Sequence, residues 1–224
     1  MGGKLIVIEG LDGSGKATQT KMLYEALEGR VRELKMLSFP CYDDDSSVLV
    51  KMYLLGEFGS DPNDVNCYAA SMFFSADRYA SYKKSWQKEY NLGYVLLADR
   101  YTTSNAVYQT GKLNRKEWDK YLEWLSDFEY NLLGIPEPDT VIYLDMPPEI
   151  SWNLMTKRND GDETKRDIHE MDIGFQQNSR EAALYCATKQ NWRIVKCEKD
   201  GEIRDVEDIA KEVLAIVEER IFSV

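Results

Sequence analysis

Apolar and polar positions along the chain alternate between two periods. Compact apolar runs, rich in β-branched residues, stand at 5–8, 34–39 (ahead of Pro40), 93–99, 140–145 and 192–197. Each is too short for a buried helix and predicts a strand. Between them the apolar residues recur at helical spacing. Met22, Leu23, Ala26 and Leu27 follow the first run, and Val48, Leu49, Met52 and Tyr53 follow the second. A long helix is predicted from 63 to about 90, with Tyr68, Met72, Phe73, Phe74, Tyr79, Tyr82 and Trp86 as an aromatic core stripe. Trp118, Tyr121, Leu122, Leu125 and Phe128 form another stripe. Pro147-Pro148-Glu149 opens a helix with proline in its first turn, a further helix runs through Tyr185, and Val206, Ile209, Val213, Ile216 and Val217 mark the last. Asp43-Asp44-Asp45 reads as a solvated turn capping the helix that begins near Val48. Strands alternating with helices predict an α/β fold: a three-layer sandwich, with a five-stranded parallel sheet covered by helices on both faces. A chain of 224 residues fits one such domain, spanning 1–224.

The turn after the first strand carries the clearest chemistry. Gly10-Leu11-Asp12-Gly13-Ser14-Gly15-Lys16-Ala17-Thr18 joins a buried strand to a helix, the context in which Gly-x-x-x-x-Gly-Lys marks a P-loop. Glycines let successive N–H groups turn inward on phosphate oxygens, the helix N-terminus adds its positive end, and Lys16 supplies a mobile cation. Ala17 stands where a Ser or Thr commonly reaches Mg²⁺; the start Gly15-Lys16-Ala17-Thr18-Gln19 resembles instead that of several nucleoside monophosphate kinases, which implies a metal held mainly by phosphates, water and carboxylates.

Three other stretches change the picture. Arg78 lies one turn beyond Phe74, so an aromatic and an arginine share a helix face and can stack a base and bond its edge. The third strand ends in Asp99-Arg100, at the carboxyl edge where parallel sheets gather ligands. There an acid can hold Mg²⁺ directly or through water, and an arginine can grip a phosphate. Tyr101 to Gln109, including Ser104, Asn105 and Tyr108, is a run of hydrogen-bonding side chains. The polar segment at about 157–170 carries Lys157, Arg158, Lys165 and Arg166 among acids and reads as a lid closing on phosphate. His169, the chain's one histidine, is expected to be exposed.

Charge narrows the partners. Lys and Arg number 28 against 39 Asp and Glu, a formal net charge of −11, which disfavours nucleic acid and anionic membranes. No apolar run approaches the roughly 20 residues of a membrane span, and no signal peptide is apparent, so a cytoplasmic protein is expected. Cys41, Cys67, Cys186 and Cys197 lack metal-site spacing and read as free thiols.

Taken together, Gly-Leu-Asp-Gly-Ser-Gly-Lys, Phe39-Pro40, Phe74-Ser75-Ala76-Asp77-Arg78-Tyr79 and Asp99-Arg100-Tyr101 resemble, in order and across the whole chain, the thymidylate kinases. The resemblance implies a P-loop NTPase fold and transfer of the γ-phosphate of ATP to dTMP with Mg²⁺, in a homodimer. It implies that Phe74 stacks on thymine and Arg78 reaches its O4 edge. Ser104 or Asn105 meets the other polar edge, with Phe39, Pro40 and Gln109 in the same pocket. Tyr108 would stand against the 2′ position, Asp12 near the 3′-hydroxyl and Arg100 on the dTMP phosphate. Gly13 occupies the place of the P-loop arginine found in some members, so Arg158 and Arg166 of the lid would act with Lys16, Asp99 and Arg100 in catalysis. Asp167 and Glu170 match the acidic pair that follows the lid in part of the family. Other acceptors (UMP, CMP, dUMP) and a non-catalytic nucleotide-binding regulator remain open on the residues alone.

Overall fold

The five apolar runs pair side by side, all parallel. Their order is β2 (Leu34–Ser38), β3 (Val95–Asp99), β1 (Lys4–Gly10), β4 (Thr140–Asp145) and β5 (Arg193–Lys196). The computed structural model describes residues 2–158 and 167–222, and of residues 157 and 158 only the backbone. In β1 the pleat sends Leu5 and Val7 to one core, and Ile6 and Ile8 to the other. Neither face has a polar side, which is why these strands read as continuous apolar runs. One face is covered by α1 (Lys16–Leu27) and α9 (Val206–Ile221), through Leu23, Leu27, Ile209, Val213 and Val217. Over the other face pack α5 (Thr102–Tyr108), α6 (Trp118–Ser126) and α8 (Ile173–Lys189), through Val107, Tyr121, Leu125 and Ala183. The helices α2 (Val48–Leu54), α3 (Cys67–Ser81), α4 (Gln87–Asn91) and α7 (Pro148–Arg158) complete the set.

Register sets the site. Ile8 and Ser38 both lie opposite Asp99, so the carboxyl ends of β1, β2 and β3 finish together. The chain leaves β1 for β2, returns to β3 between them, and then crosses to β4 on the far side of β1. Such a reversal opens a crevice at the strand ends.

Several expectations are corrected. The long helix starts at Cys67, not Asn63: Asp61 and Asp64 close a separate turn, and Asn66 caps α3 by accepting the N–H groups of Tyr68 and Ala69, each at 3.0 Å. A π-helical turn, Tyr82–Trp86, then leads into α4. The aromatic stripe is split. Tyr82 and Trp86 are buried, but Tyr68, Met72 and Tyr79 are 40–49% exposed, because the inward face of α3 is built from Ala70, Ser71, Ser75 and Arg78. The helix near Val48 is present, but no carboxylate of the acidic turn caps it; Asp44 instead pairs with Lys84 at 2.6 Å. A hairpin of β6 (Glu198–Lys199) and β7 (Glu202–Ile203) went unforeseen, although Asp200-Gly201, both at positive φ, is the expected turn for it. The four cysteines are free.

Candidate active site

The loop after β1 keeps its shape through backbone crowding. A Cβ on Gly10 would lie 2.4 Å from Ser14 Oγ and 3.0 Å from the Leu144 carbonyl. Gly13 sits at φ +77°, and a Cβ there would meet the Ser151 carbonyl at 2.8 Å. The backbone therefore excludes an arginine at 13, giving a physical reason for the glycine. Lys16 folds back so that Nζ donates to the Leu11 carbonyl at 2.7 Å. Burial, then the nearby Arg100, pull its pKa from 10.5 to about 8.

Arg100 follows Asp99 with φ +66°, an uncommon conformation for a side chain of its size. Its backbone N–H donates to the Ile8 carbonyl at 3.1 Å, tying the residue to the end of β1. From there the guanidinium pairs with Asp12, reaches Ser104 Oγ at 3.3 Å and lies over the Tyr108 ring at 5.5 Å. Tyr108 Oη donates to Asp12 Oδ2 at 2.8 Å. Burial alone would raise the Asp12 carboxyl, but Arg100, Lys16 and the Tyr108 hydroxyl together hold it well below the usual range. Beneath this group lies Glu9, fully buried, whose carboxylate accepts from Thr103 at 2.6 Å and from Ser104 at 2.9 Å and 3.0 Å. The single hydroxyl hydrogen of Ser104 is thus directed at Glu9.

A second cluster forms where α3 faces α5 and the end of α6. Arg78 is 2% exposed and pairs with Glu129, itself fully buried. Burial would pull the guanidinium pKa down, and Glu129 carries it above its ordinary value. Asn105 Nδ2 joins the same carboxylate at 3.1 Å. Of the two residues offered for the second polar edge, only Asn105 stands with Arg78. Phe74 meets Tyr53 edge-on at 6.1 Å. Asp77, the acid of the motif around Phe74, is buried and holds the loop after Pro40, accepting from Cys41 N at 2.8 Å and Ser46 Oγ at 2.7 Å.

Both clusters open on one cavity of about 510 Å³. Its wall includes Asp12, Gly13, Gly15, Lys16, Ala17, Thr18, Phe39, Pro40, Phe74, Arg78, Asp99, Arg100, Ser104, Asn105, Tyr108 and Gln109. Gly10, Leu11 and Ser14 shape the loop without lining the cavity. Asp167 and Glu170 also reach it; burial, then Asp12, push the Asp167 carboxyl up to about 7. His169 corrects the sequence reading most sharply: it is 5% exposed, stacked on Tyr108 at 5.2 Å, with Nε2 2.7 Å from Tyr53 Oη. The ring is buried because Phe175 backs it at 4.8 Å. Residues 159–166, with Lys165 and Arg166, lie outside the described residues, as do the side chains of Lys157 and Arg158. Glu9 and Glu129 were missed by the sequence reading. Their signals were present: an acid closing the apolar run 5–8, and an acid four residues after Leu125 on an apolar stripe.

A glycine-rich loop of the P-loop pattern between strand and helix, a strand-end acid and arginine, and aromatic side chains lining the same cavity place this chain among the P-loop nucleotide-binding proteins. The comparisons with known proteins narrow the class. The family model described as thymidylate kinase matches residues 8–209. A thymidylate kinase of Mycobacterium tuberculosis (strain H37Rv) is 32% identical over 193 residues, 84% of this chain and 87% of that protein. A Plasmodium falciparum (isolate 3D7) thymidylate kinase is 31% identical, covering 96% of this chain and 91% of its own length. The solved structure of a Candida albicans thymidylate kinase shares the fold, with a TM-score of 0.68 over 97% of this chain and 92% of that one, at 24% identity. The chain belongs to the thymidylate kinase family.

Proposed function

We propose that this protein transfers the γ-phosphate of ATP to dTMP, giving dTDP for dTTP synthesis. The observation that carries the reading is that one cavity joins Lys16, the P-loop backbone and Arg100 to Phe74, Arg78 and Asn105. Loop amides and Lys16 hold the donor phosphates. Phe74 stacks on the base, Arg78 and Asn105 meet its edge, and Phe39, Pro40 and Gln109 close the recess. Tyr108, fixed by its bond to Asp12, stands where a 2′-hydroxyl would project. Arg100 grips the acceptor phosphate, whose oxyanion is already a nucleophile, so no general base is needed and alignment of the two anions does most of the work.

The acid at the end of β3 fits a divalent cation. Asp99 Oδ1 is buried and has no hydrogen-bond partner among the described residues, and Ala17 offers no hydroxyl. Asp99 would therefore hold Mg²⁺, directly or through water. Such an ion would supply neutralisation of charge on the donor phosphates. Arg158 and Arg166, with Lys157 and Lys165, remain the proposed lid cations, and Asp167 and Glu170 the acids beside them. A cytoplasmic homodimer is the proposed assembly, covering the exposed Tyr68, Met72 and Tyr79 face of α3. Among the described residues no helix is long and apolar enough to cross a membrane.

ADP release by the purified protein with ATP and Mg²⁺, comparing dTMP, dUMP, UMP, CMP and AMP, tests the reading. Turnover on dTMP with little on the ribonucleotides supports it. Preference for UMP or CMP keeps the chemistry and removes the pocket assignment. Silence on all five, with ATP still bound, leaves a non-catalytic regulator.

A further inference from the structure

The buried carboxylate of Glu129 sits on the π-helical turn Asp127–Leu132 that extends α6. Such a turn shifts a side chain out of the α-helical spacing and recurs at functional positions. Here it delivers a charge into a core of Tyr121, Leu125 and Tyr101. Four side chains converge on that charge. Arg78 gives Nε to Oε2 at 2.7 Å and Nη2 to Oε1, a bidentate fork. Thr102 Oγ1 donates to Oε2 at 3.0 Å, and Ser75 Oγ lies 2.8 Å from Oε1. Asn105 Nδ2 donates to Oε1 at 3.1 Å and to the Ser71 carbonyl at 3.2 Å.

These bonds decide what faces the cavity. Two acceptors use both hydrogens of the Asn105 amide, so its orientation is set, and no described residue donates to Oδ1. Asn105 is left with an acceptor to offer. Arg78, with Nε and Nη2 engaged, keeps Nη1, whose bond to the Tyr101 carbonyl is long at 3.4 Å. Arg78 is left with a donor to offer. A 4-keto pyrimidine presents the matching edge, a carbonyl acceptor next to an N3–H donor. Cytosine presents the reverse, an amino donor next to a bare N3, and mismatches at both places.

We propose that Glu129 is a positioning residue that fixes the donor–acceptor polarity of the base recess, admitting 4-keto pyrimidine nucleotides and rejecting 4-amino ones. The proposal rests on the reading of Phe74, Arg78 and Asn105 as the acceptor-base site. Specificity of this kind is steep, because the wrong base leaves buried polar groups unpaired.

Glu129→Gln keeps the shape but replaces one acceptor with a donor, which breaks the fork and frees the Asn105 amide to turn over. The test compares wild type, E129Q and Glu129→Asp in steady-state kinetics with dTMP and dCMP. Wild type is expected to prefer dTMP by a large factor. E129Q is expected to raise KM for dTMP roughly 10- to 100-fold, with kcat changed far less, and to cut the dTMP-to-dCMP preference at least tenfold. E129D, which keeps the charge on a shorter arm, is expected to retain part of that preference. A purely structural role would lower the yield and Tm and depress both acceptors alike. An unchanged preference ratio in E129Q therefore overturns the proposal. Should E129Q fail to fold, an unchanged ratio in E129D does so, as does a wild type that accepts dCMP as readily as dTMP. A wild type silent on dTMP instead removes the kinase reading beneath it, which is a separate failure.

Discussion

Raising the pH from 7 to 9 should weaken ATP through one side chain. Lys16 is 7% exposed, and burial together with Arg100 lowers its pKa to about 8. At pH 7 about nine-tenths of the free protein carries the charge on Lys16, at pH 8 about half, and at pH 9 about one-tenth. Donor phosphates favour the ammonium form, so binding restores the missing proton. Linkage then gives an uptake of about 0.1 proton at pH 7, about half a proton at pH 8 and about 0.9 at pH 9. Between pH 7 and 9 the affinity falls about tenfold, or about 1.4 kcal/mol. Titration calorimetry with a non-hydrolysable ATP analogue, in buffer pairs of different ionisation enthalpy, reads the proton count directly. Lys112, also lowered to about 8 by burial, and Asp167 titrate in the same range. Lys16→Arg, permanently charged, retains their contribution, so the difference between wild type and Lys16→Arg isolates Lys16 and should follow these proton counts. If wild type took up no proton at pH 8, or if Lys16→Arg took up as much, the assignment of Lys16 to the phosphates would be wrong.

Two further outcomes are expected. Arg100→Ala removes the phosphate grip and leaves Asp12 without its cation, so kcat/KM for dTMP should drop about 100- to 1,000-fold, through both constants; an unchanged value takes Arg100 out of the phosphate site. His169 is buried, and that burial, with Lys112 nearby, lowers its pKa to about 3. As the chain's one histidine, it should show no ring titration by NMR between pH 8 and 5. The unfolded imidazole binds a proton below about 6.5 and the folded one does not, so stability is lost as pH falls below that value, by about 2 kcal/mol at pH 5. Asp167, raised to about 7, runs the other way, so the quantity to measure is the difference in unfolding free energy between wild type and His169→Phe. A difference that does not change with pH would show that the imidazole is already titrating in the folded chain.

Much of the architecture was legible because its signals are local. The runs at 5–8 and 140–145 can only be buried strands, and a glycine turn ending in Gly15-Lys16 ahead of a helix has few other uses. Asp99-Arg100 at the end of an apolar run pointed to the strand ends for the same reason. Helix limits were harder to place, since Asp61 and Asp64 close a turn of their own over 62–64 and the helix begins only after Asn66, which caps it. The outward face of α3 misled because aromatic residues suggest burial, whereas the packed side is made of small residues that leave room for Arg78 and Glu129.

The sequence by itself therefore determined the strand–helix alternation, the phosphate loop and most side chains of the cavity, since each is specified by neighbours within about one helical turn or one strand. Only the tertiary structure decided which charges meet. Glu9 and Arg100 are separated by two crossover connections and the whole of β2, and Arg78 and Glu129 by 51 residues, yet each pair shares one buried place. No local period records such a pairing. A buried charge is tolerable only where the fold brings its partner, and that depends on strand order, register and the turn that aims Glu129 inward.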